Sequence, residues 1–221
     1  MFIVLAVAVL LVAMIAAGIA CDKAKEGELP TLKVGDQWVY EMVSEGVEYA
    51  VTWEVTDEDV IEGKDCYVIE WHFDPAFGGI FDSLTEKRDR ATYFSLRTQM
   101  TGTMMGLSAI ADLQFSYTFP EAAPWPLEVG KEIKVIRTET STTTMMGETK
   151  TETETETSTQ KVERMEEITV PAGTFKCFKI VKYDETGEKI HTSWHSDKVK
   201  TYVKRIVYED GTTMELKSYS M

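Results

Sequence analysis

The sequence predicts an all-β fold: a curved antiparallel sheet, arranged as a half-barrel or sandwich of about eleven strands with very little helix. From Asp36 onward apolar and polar residues alternate with period two, which is the pattern of half-buried strands. The connections between these runs are short, and short connections cannot make the crossovers that parallel strands require. A single antiparallel domain is therefore expected over residues 32–221.

Alternating aromatic and aliphatic side chains mark the first three strands. One face of each strand is defined in turn by Trp38, Tyr40 and Met42; by Tyr49, Val51, Trp53 and Val55; and by Tyr67, Ile69, Trp71 and Phe73. The alternation continues in later runs at 90–104, 112–119, 131–144, 149–168, 174–183, 189–195, 199–208 and 212–219. The stretch FGGIFDSLTEKRD after Pro75 is expected to form a short helix, and PEAAPWP a proline-punctuated crossover.

A weak internal duplication divides the domain into similar halves at about 32–119 and 127–221. LKVG at 32–35 is echoed by LEVG at 127–130, GKDCYVI at 63–69 by GTFKCFKI at 173–180, and YFS at 93–95 by WHS at 194–196. Cys66 and Cys177 therefore occupy equivalent positions. They could form a disulfide in an oxidising compartment, or they could be two separate buried thiols.

An apolar run from Phe2 to Ala20 is followed directly by Cys21 and then by a polar segment. The run is interpreted as an export signal over residues 1–20. Small residues directly before a cysteine resemble the lipobox of prokaryotic lipoproteins. The resemblance implies lipidation at Cys21, a polar tether over 21–31, and a cell-envelope location on the outer side of the cytoplasmic membrane. An uncleaved anchor is an alternative, because about 20 apolar residues span a bilayer, and ordinary cleaved secretion is another.

The formal net charge of −14 lies entirely outside the uncharged signal. Such a surface disfavours nucleic acid and anionic headgroups as partners. No zinc spacing, phosphate loop or nucleophile elbow is present, and no cofactor is predicted. His72, His191 and His195 are interpreted as partly exposed strand residues. A hydrolase is the third-ranked function, because catalytic triads assemble in space rather than in sequence.

The segment ITVPAGTFKCFKI, followed by SWHSDKVKTYVKR, resembles the C-terminal part of the TapB-like group of exported proteins of unknown function, and the opening VGDQWVYE is similar to it too. This resemblance implies a sheet similar to the half-barrels of the lipoprotein carriers that serve the outer membrane.

The run KTETETETSTQ at 150–160 places threonines on one face of a strand and mostly charge on the other. With a turn at Met146-Gly147, it predicts a ladder of threonine pairs, 144/149, 142/151, 140/153 and 138/155. The same register sets Arg137 beside Glu156. Because the tip lacks an apolar face, the hairpin is expected to project as a ribbon. Weak candidates for a hard cation such as calcium are Glu139, Glu152, Glu154 and Glu156; the alternative is a solvated acidic strand that discourages edge aggregation.

Two similar segments, TGTMMG at 101–106 and TTTMMG at 142–147, place methionine pairs at alternate turns of the meander. Alternate turns lie on one rim, about 10 Å apart. The candidate contact rim consists of Met104, Met105, Met145 and Met146. These thioethers could make adaptable apolar contacts, bind Cu(I), or cap the core.

These observations lead to a functional prediction: a non-enzymatic, membrane-tethered binding module for an apolar ligand, a lipid or an envelope partner. The alternative is a structural or assembly protein whose interior is filled by its own side chains. The side chains expected to line a ligand, or otherwise to form an ordinary core, are Trp38, Tyr40, Trp53, Tyr67, Trp71 and Trp194. An internal pocket of several hundred cubic ångströms would favour binding.

Overall fold

A computed structural model describes residues 26–145 and 147–221. In these residues the chain forms twelve β-strands and no α-helix. The strands are Gln37–Ser44 (β1), Val47–Ile61 (β2), Lys64–Phe77 (β3), Phe81–Asp89 (β4), Ser95–Met104 (β5), Leu107–Thr118 (β6), Glu132–Met145 (β7), Glu148–Val170 (β8), Gly173–Tyr183 (β9), Lys189–Ser196 (β10), Thr201–Val207 (β11) and Thr213–Ser220 (β12).

Each strand pairs antiparallel with its neighbours in sequence, and β1 also pairs with β12, so the sheet closes into a barrel. In β1, Trp38 lies opposite Trp53 of β2 on one side and Tyr219 of β12 on the other. The predicted all-β antiparallel fold is confirmed. It has twelve strands rather than about eleven, and the sheet closes instead of remaining an open half-barrel.

The predicted short helix after Pro75 is wrong, because that stretch forms the end of β3, a turn and β4. On β4, Leu84, Glu86 and Arg88 alternate with Ser83, Thr85 and Lys87. Glu86 and Arg88 are buried although they are charged. The alternation of apolar and polar residues is therefore not visible in the sequence of β4, because the inward face of this strand is largely polar.

The two halves of the barrel, β1–β6 and β7–β12, carry equivalent local features. The Gly35 amide donates to the Val55 carbonyl at 2.8 Å, and the Gly130 amide donates to the Val162 carbonyl at the same distance. A register shift follows directly in each case, after Val55 in β2 and after Val162 in β8. The division into two similar halves at about 32–119 and 127–221 stays a prediction.

The threonine hairpin has the predicted register. Thr144 pairs with Thr149, and the other three predicted threonine pairs follow in order. All four pairs join their hydroxyls by hydrogen bonds of 2.9 to 3.1 Å. The hairpin is not a free ribbon, because β6 pairs with β7 as far as Ala109 and Met145. Residues 148–158 of β8 pair with β7 but lack a strand partner on their second side.

The interior of the barrel is divided into two parts. The larger part is an apolar cluster, named here the core cluster, with members mainly from β1, β2, β3, β9, β11 and β12. Along this cluster, the ring centroids of Trp71 and Tyr202 lie 4.1 Å and 5.1 Å from that of Trp53. A smaller cluster of Leu127, Val162 and Phe178 lies apart from it. The space beside the smaller cluster holds the cavity described below.

Candidate ligand-binding cavity

A cavity of about 380 Å³ lies inside the barrel, against the inward faces of β4 to β11. Its volume is within the range of roughly 300–1,000 Å³ that is typical of small-molecule pockets. Apolar wall residues include Phe115, Tyr117, Ile133, Val135 and Ile180. The remaining wall is polar and charged, which sets the cavity apart from the core cluster.

Three rings, those of Tyr93, Trp125 and His195, close the end of the cavity near the turn between β4 and β5. Trp125 lies 5.3 Å from His195 and 6.0 Å from Tyr93, both in edge-on arrangements. The Trp125 indole donates to the Thr92 carbonyl at 3.0 Å, and the Tyr93 hydroxyl donates to the Lys200 carbonyl at 2.8 Å. These bonds fasten the loop after β6 to the turns beside it.

Tyr93 also has a backbone φ of 66°. A bulky residue rarely adopts this left-handed conformation, which persists only where the surroundings impose it.

A buried ion pair lies beside this ring group. The Arg88 guanidinium donates twice to the Glu86 carboxylate, at 2.9 and 2.8 Å, and lies 4.6 Å from the Tyr93 ring centroid. Burial disfavours the charged guanidinium, but the field of Glu86 outweighs that effect, so the pKa of Arg88 is raised. Arg88 is therefore a fixed cation whose charge is balanced locally.

Three further cations, Arg137, Lys182 and Arg205, line the cavity. Glu156 bridges the first two, because it lies 2.8 Å from Arg137 and 2.8 Å from Lys182. Arg205 makes no salt bridge to any carboxylate among the described residues; its guanidinium carbon lies 5.8 Å from the Tyr202 ring centroid. The cavity is thus basic within a strongly acidic protein, and Arg205 is its unbalanced charge.

Several polar atoms in the cavity wall are buried without a hydrogen-bond partner in the protein: Arg137 Nε, His195 Nε2, Thr201 Oγ1 and Arg205 Nε. His195 is 6% exposed and Thr201 is 1% exposed. An unpaired buried polar atom costs about 1–3 kcal/mol. Two further such atoms, Trp53 Nε1 and Trp71 Nε1, belong to the core cluster or to a ring that packs against it.

Both histidines on β10 face the cavity as neutral imidazoles. Burial, together with the smaller effect of the nearby Arg88, lowers the pKa of His195 to about 3. Burial, with smaller effects of Arg205 and Lys182, lowers the pKa of His191 to about 2. The interpretation of these two as partly exposed strand residues is wrong for His195, because a register shift between Trp194 and His195 turns both side chains inward. His72 has an exposed side chain, as expected.

The hydrolase alternative receives no geometric support in the described part of the chain. Ser95, Ser158 and Ser193 line the same cavity as the two histidines. No hydrogen bond among the described residues joins a serine hydroxyl to either imidazole. A nucleophile and its base must lie within hydrogen-bond reach.

The six aromatic residues predicted to line a ligand do not line this cavity. All of them belong to the core cluster or pack against it: Trp38, Tyr40, Trp53, Tyr67, Trp71 and Trp194. Their polar atoms are largely used internally, as when the Trp38 indole donates to the Val199 carbonyl at 2.8 Å and the Trp194 indole donates to Glu166 at 2.7 Å. The alternative interpretation, an ordinary core, describes these six residues.

The methionine turns lie at the opposite end of the barrel from Trp125, because β5 to β8 are consecutive antiparallel strands. Met105 is 85% exposed, and Met145 is half-buried. The side chain of Met104 and all of Met146 lie outside what the structure describes, as does the predicted lipidation site at Cys21. The contact rim therefore stays a prediction.

The four glutamates proposed as weak calcium ligands are largely engaged by cations. Glu139 and Glu156 both contact Arg137, and Lys150 lies 2.6 Å from Glu152. Across the described residues, no group of three or more His, Cys, Asp or Glu side chains could hold a metal ion.

Cys66 and Cys177 are separate buried thiols, not a disulfide. Each thiol contacts the carbonyl two residues earlier in its own strand, Lys64 and Phe175, at 3.4 Å. Burial raises the pKa of Cys177 to about 12, so this thiol is not reactive.

Sequence reasoning missed most of the cavity wall, including Glu86, Arg88, Lys182 and Arg205. It had marked the YFS and WHS segments and the PEAAPWP loop, which supply the three closing rings, but without assigning them a site. The sequence does place charged residues at alternate strand positions that point into the barrel. That signal can be read only once the register is known.

A family model described as DUF3108-like matches residues 90–219, more than half of the sequence. The chain belongs to the DUF3108-like family. The matched residues include nearly the whole cavity wall, apart from Glu86 and Arg88. The TapB-like and lipoprotein-carrier resemblances stay predictions.

Two solved structures are similar to this member of the DUF3108-like family. One is a protein of Parabacteroides distasonis named provisionally as a lipoprotein, with 12% identity, a TM-score of 0.40, and coverage of 89% of this chain and 100% of that one. The other is a protein of Bacteroides fragilis named provisionally as exported, with a YmcC-like fold, 11% identity, a TM-score of 0.38 and the same coverage. No curated protein matches the sequence. No helix in the described residues is long and apolar enough to cross a membrane.

Proposed function

We propose that this protein is a lipid-anchored, extracytoplasmic binding protein that takes a small molecule with an apolar body into its barrel. The carrying observation is the cavity of about 380 Å³ inside a barrel whose other part is densely filled. Side chains that only needed to fill a core would not leave such a space, because protein interiors are close-packed.

The position of the N-terminal segment also supports this function. Gly27 forms a two-bond bridge with Leu127, at 2.8 and 2.9 Å, and Leu127 lines the cavity. The predicted tether over 21–31 is therefore held against the barrel from Gly27 onward. Gly27 lies six positions after Cys21, and this length of chain reaches at most about 20 Å. A lipid at Cys21 would hold the cavity end of the barrel near the membrane surface, where apolar molecules are concentrated.

The test uses the uncharged dye phenylnaphthylamine and the full-length chain in a non-ionic detergent. Dye emission is excited through tryptophan, so that only dye close to the protein contributes. We expect saturable binding of one dye molecule, which Thr98→Phe abolishes by filling the cavity from β5. Thr103→Phe, on the outer face of the same strand, is the matched control and should bind the dye as the wild type does.

Equal binding by wild type and Thr98→Phe would contradict the proposal. Failure of wild type to bind the dye would favour the alternative, a structural or assembly protein of the envelope. That alternative is supported by the core cluster, which is filled by the protein's own side chains.

A further inference from the structure

We infer that the cavity selects an organic monoanion, whose anionic group contacts Arg205 while its apolar body lies against the wall formed by β6, β7 and β9. This inference rests on the proposed function, and it adds the chemical class of the ligand. It is carried by three observations: the charge balance of the wall, the unpartnered buried polar atoms, and the apolar side chains that line the same cavity.

The charge balance leaves one cation over. Four cations line the cavity, Arg88, Arg137, Lys182 and Arg205, and Glu86 is the one carboxylate among the described lining residues. Glu86 neutralises Arg88, while Glu139 and Glu156 lie against Arg137 and Lys182. Arg205 is left without a described carboxylate. Arg205 is half-buried, and a guanidinium without a carboxylate partner can pair with one negative charge of a ligand.

The unpartnered atoms specify hydrogen bonding as well as charge. Arg205 Nε can only donate, and a guanidinium presents a planar fork that matches a carboxylate or sulfonate. Arg205 lies directly opposite Ser193, whereas Tyr202 lies opposite His195 nearer the closed end. His195 Nε2 and Thr201 Oγ1 therefore offer a second polar contact about 10 Å along β11 from the anionic group.

Apolar side chains of the cavity wall come from β6, β7 and β9, and Ile180 of β9 pairs with Ser193, the β10 partner of Arg205. Phe115 and Tyr117 come from β6, Ile133 and Val135 from β7, and Ile180 from β9. The Phe115 ring also faces the Arg137 guanidinium at 5.7 Å. A ligand with one charged end and a flat or extended apolar body would contact Arg205 and these apolar side chains at the same time.

The experiment compares two dyes that share one aromatic body. Anilinonaphthalene sulfonate carries an anionic group, and phenylnaphthylamine is the same body without it. Both are titrated against the full-length chain in non-ionic detergent, with emission excited through tryptophan. We expect the sulfonate to bind wild type about tenfold more tightly, as gaining one hydrogen bond to a charged group implies.

Variants of Arg205 test whether this residue causes the preference for the sulfonate over the uncharged dye. In Arg205→Met the sulfonate should lose about tenfold in affinity while the uncharged dye binds as before; Arg205→Lys, which keeps the charge, should retain most of the preference. Arg164→Met is the matched control, since Arg164 is an exposed cation, and it should change neither affinity.

The outcomes separate the two proposals. Equal affinity of wild type for both dyes, or a preference that survives in Arg205→Met, overturns the anion inference and leaves the proposed function standing if Thr98→Phe still blocks the uncharged dye. The wild-type comparison decides the question even if an Arg205 variant fails to fold. If Thr98→Phe changes the affinity of neither dye, the proposed function is contradicted. The anion inference, which rests on it, is then contradicted as well.

Discussion

The two parts of the barrel interior differ in how their space is filled and in how their polar groups are paired. The core cluster fills its space with large side chains, and some of its polar ring groups find backbone partners, as Trp38 does at Val199 and Tyr40 at Tyr202. The cavity side places charged residues inward, balances most of them in pairs, and leaves Arg205 unbalanced.

The largest expected effect sharpens this comparison. Trp38→Ala removes a side chain that is 1% exposed and also removes its hydrogen bond to Val199. We expect a loss of about 3–5 kcal/mol in the free energy of unfolding. The cavity-side counterpart, Phe115→Ala, removes a half-buried ring that already borders open space, and should cost about 1 kcal/mol. Urea denaturation followed by circular dichroism measures both, and equal losses would contradict the division of the interior.

The buried ion pair gives the next effect. Glu86→Gln leaves the Arg88 guanidinium buried without its carboxylate, and we expect a loss of about 3 kcal/mol in the free energy of unfolding. The double variant Glu86→Leu with Arg88→Met should recover most of this loss, because well-packed apolar residues commonly replace a buried pair without cost. The matched control is Glu152→Gln at the exposed pair with Lys150, where the change should stay below about 1 kcal/mol.

Recovery in the double variant would mean that the pair serves the cavity rather than the fold. If the double variant is as unstable as Glu86→Gln, the pair itself holds β4 in place. That result would mean that the cavity side contributes to the free energy of unfolding, as the core cluster does.

The same contrast explains what could be predicted from sequence. Strands β1 to β3 were readable because Trp38, Tyr40 and Met42 face a filled core, so their alternation is apolar against polar. β4 was mistaken for a helix because Glu86 and Arg88 face the cavity. Charged residues at inward positions remove the alternation of apolar and polar residues that identifies a strand. The threonine register was readable because identical residues on facing strands leave few alternatives. The cavity depends on register shifts, such as the one between Trp194 and His195, which no local pattern reports.

A pH titration tests the cavity side through its histidines. The pKa of His195 in the folded protein, about 3, is below its ordinary value of about 6.5. The unfolded chain therefore binds a proton that the folded protein does not, and stability present above about pH 6.5 is lost as the pH falls. The loss from this residue should reach about 2 kcal/mol by pH 5. The groups that face His195 are Arg88 from β4 and the rings of Tyr93 and Trp125, none of which titrates in this range.

The check is the pH dependence of unfolding in His195→Gln, which should lose less stability between pH 7 and pH 5 than wild type by about 2 kcal/mol. His72→Gln is the matched control, because the His72 side chain is 60% exposed, and it should follow the wild-type curve. A His195→Gln curve parallel to wild type would mean that water reaches this imidazole, and would contradict the buried cavity end.

The smallest expected effect lies on the outer face, away from both parts of the interior. The hydroxyls of Thr140 and Thr153 lie 3.1 Å apart on exposed surface, and cross-strand pairs of this kind contribute about 0.2–1 kcal/mol each. A double-mutant cycle with Thr140→Ala and Thr153→Ala should give a coupling energy in that range, measured by urea denaturation. Dye affinity should not change in any of these variants, because the hydroxyls point away from the cavity. A change in dye affinity would show that the hairpin and the cavity wall move together through Arg137 and Glu156, which lie on the inner face of the same two strands.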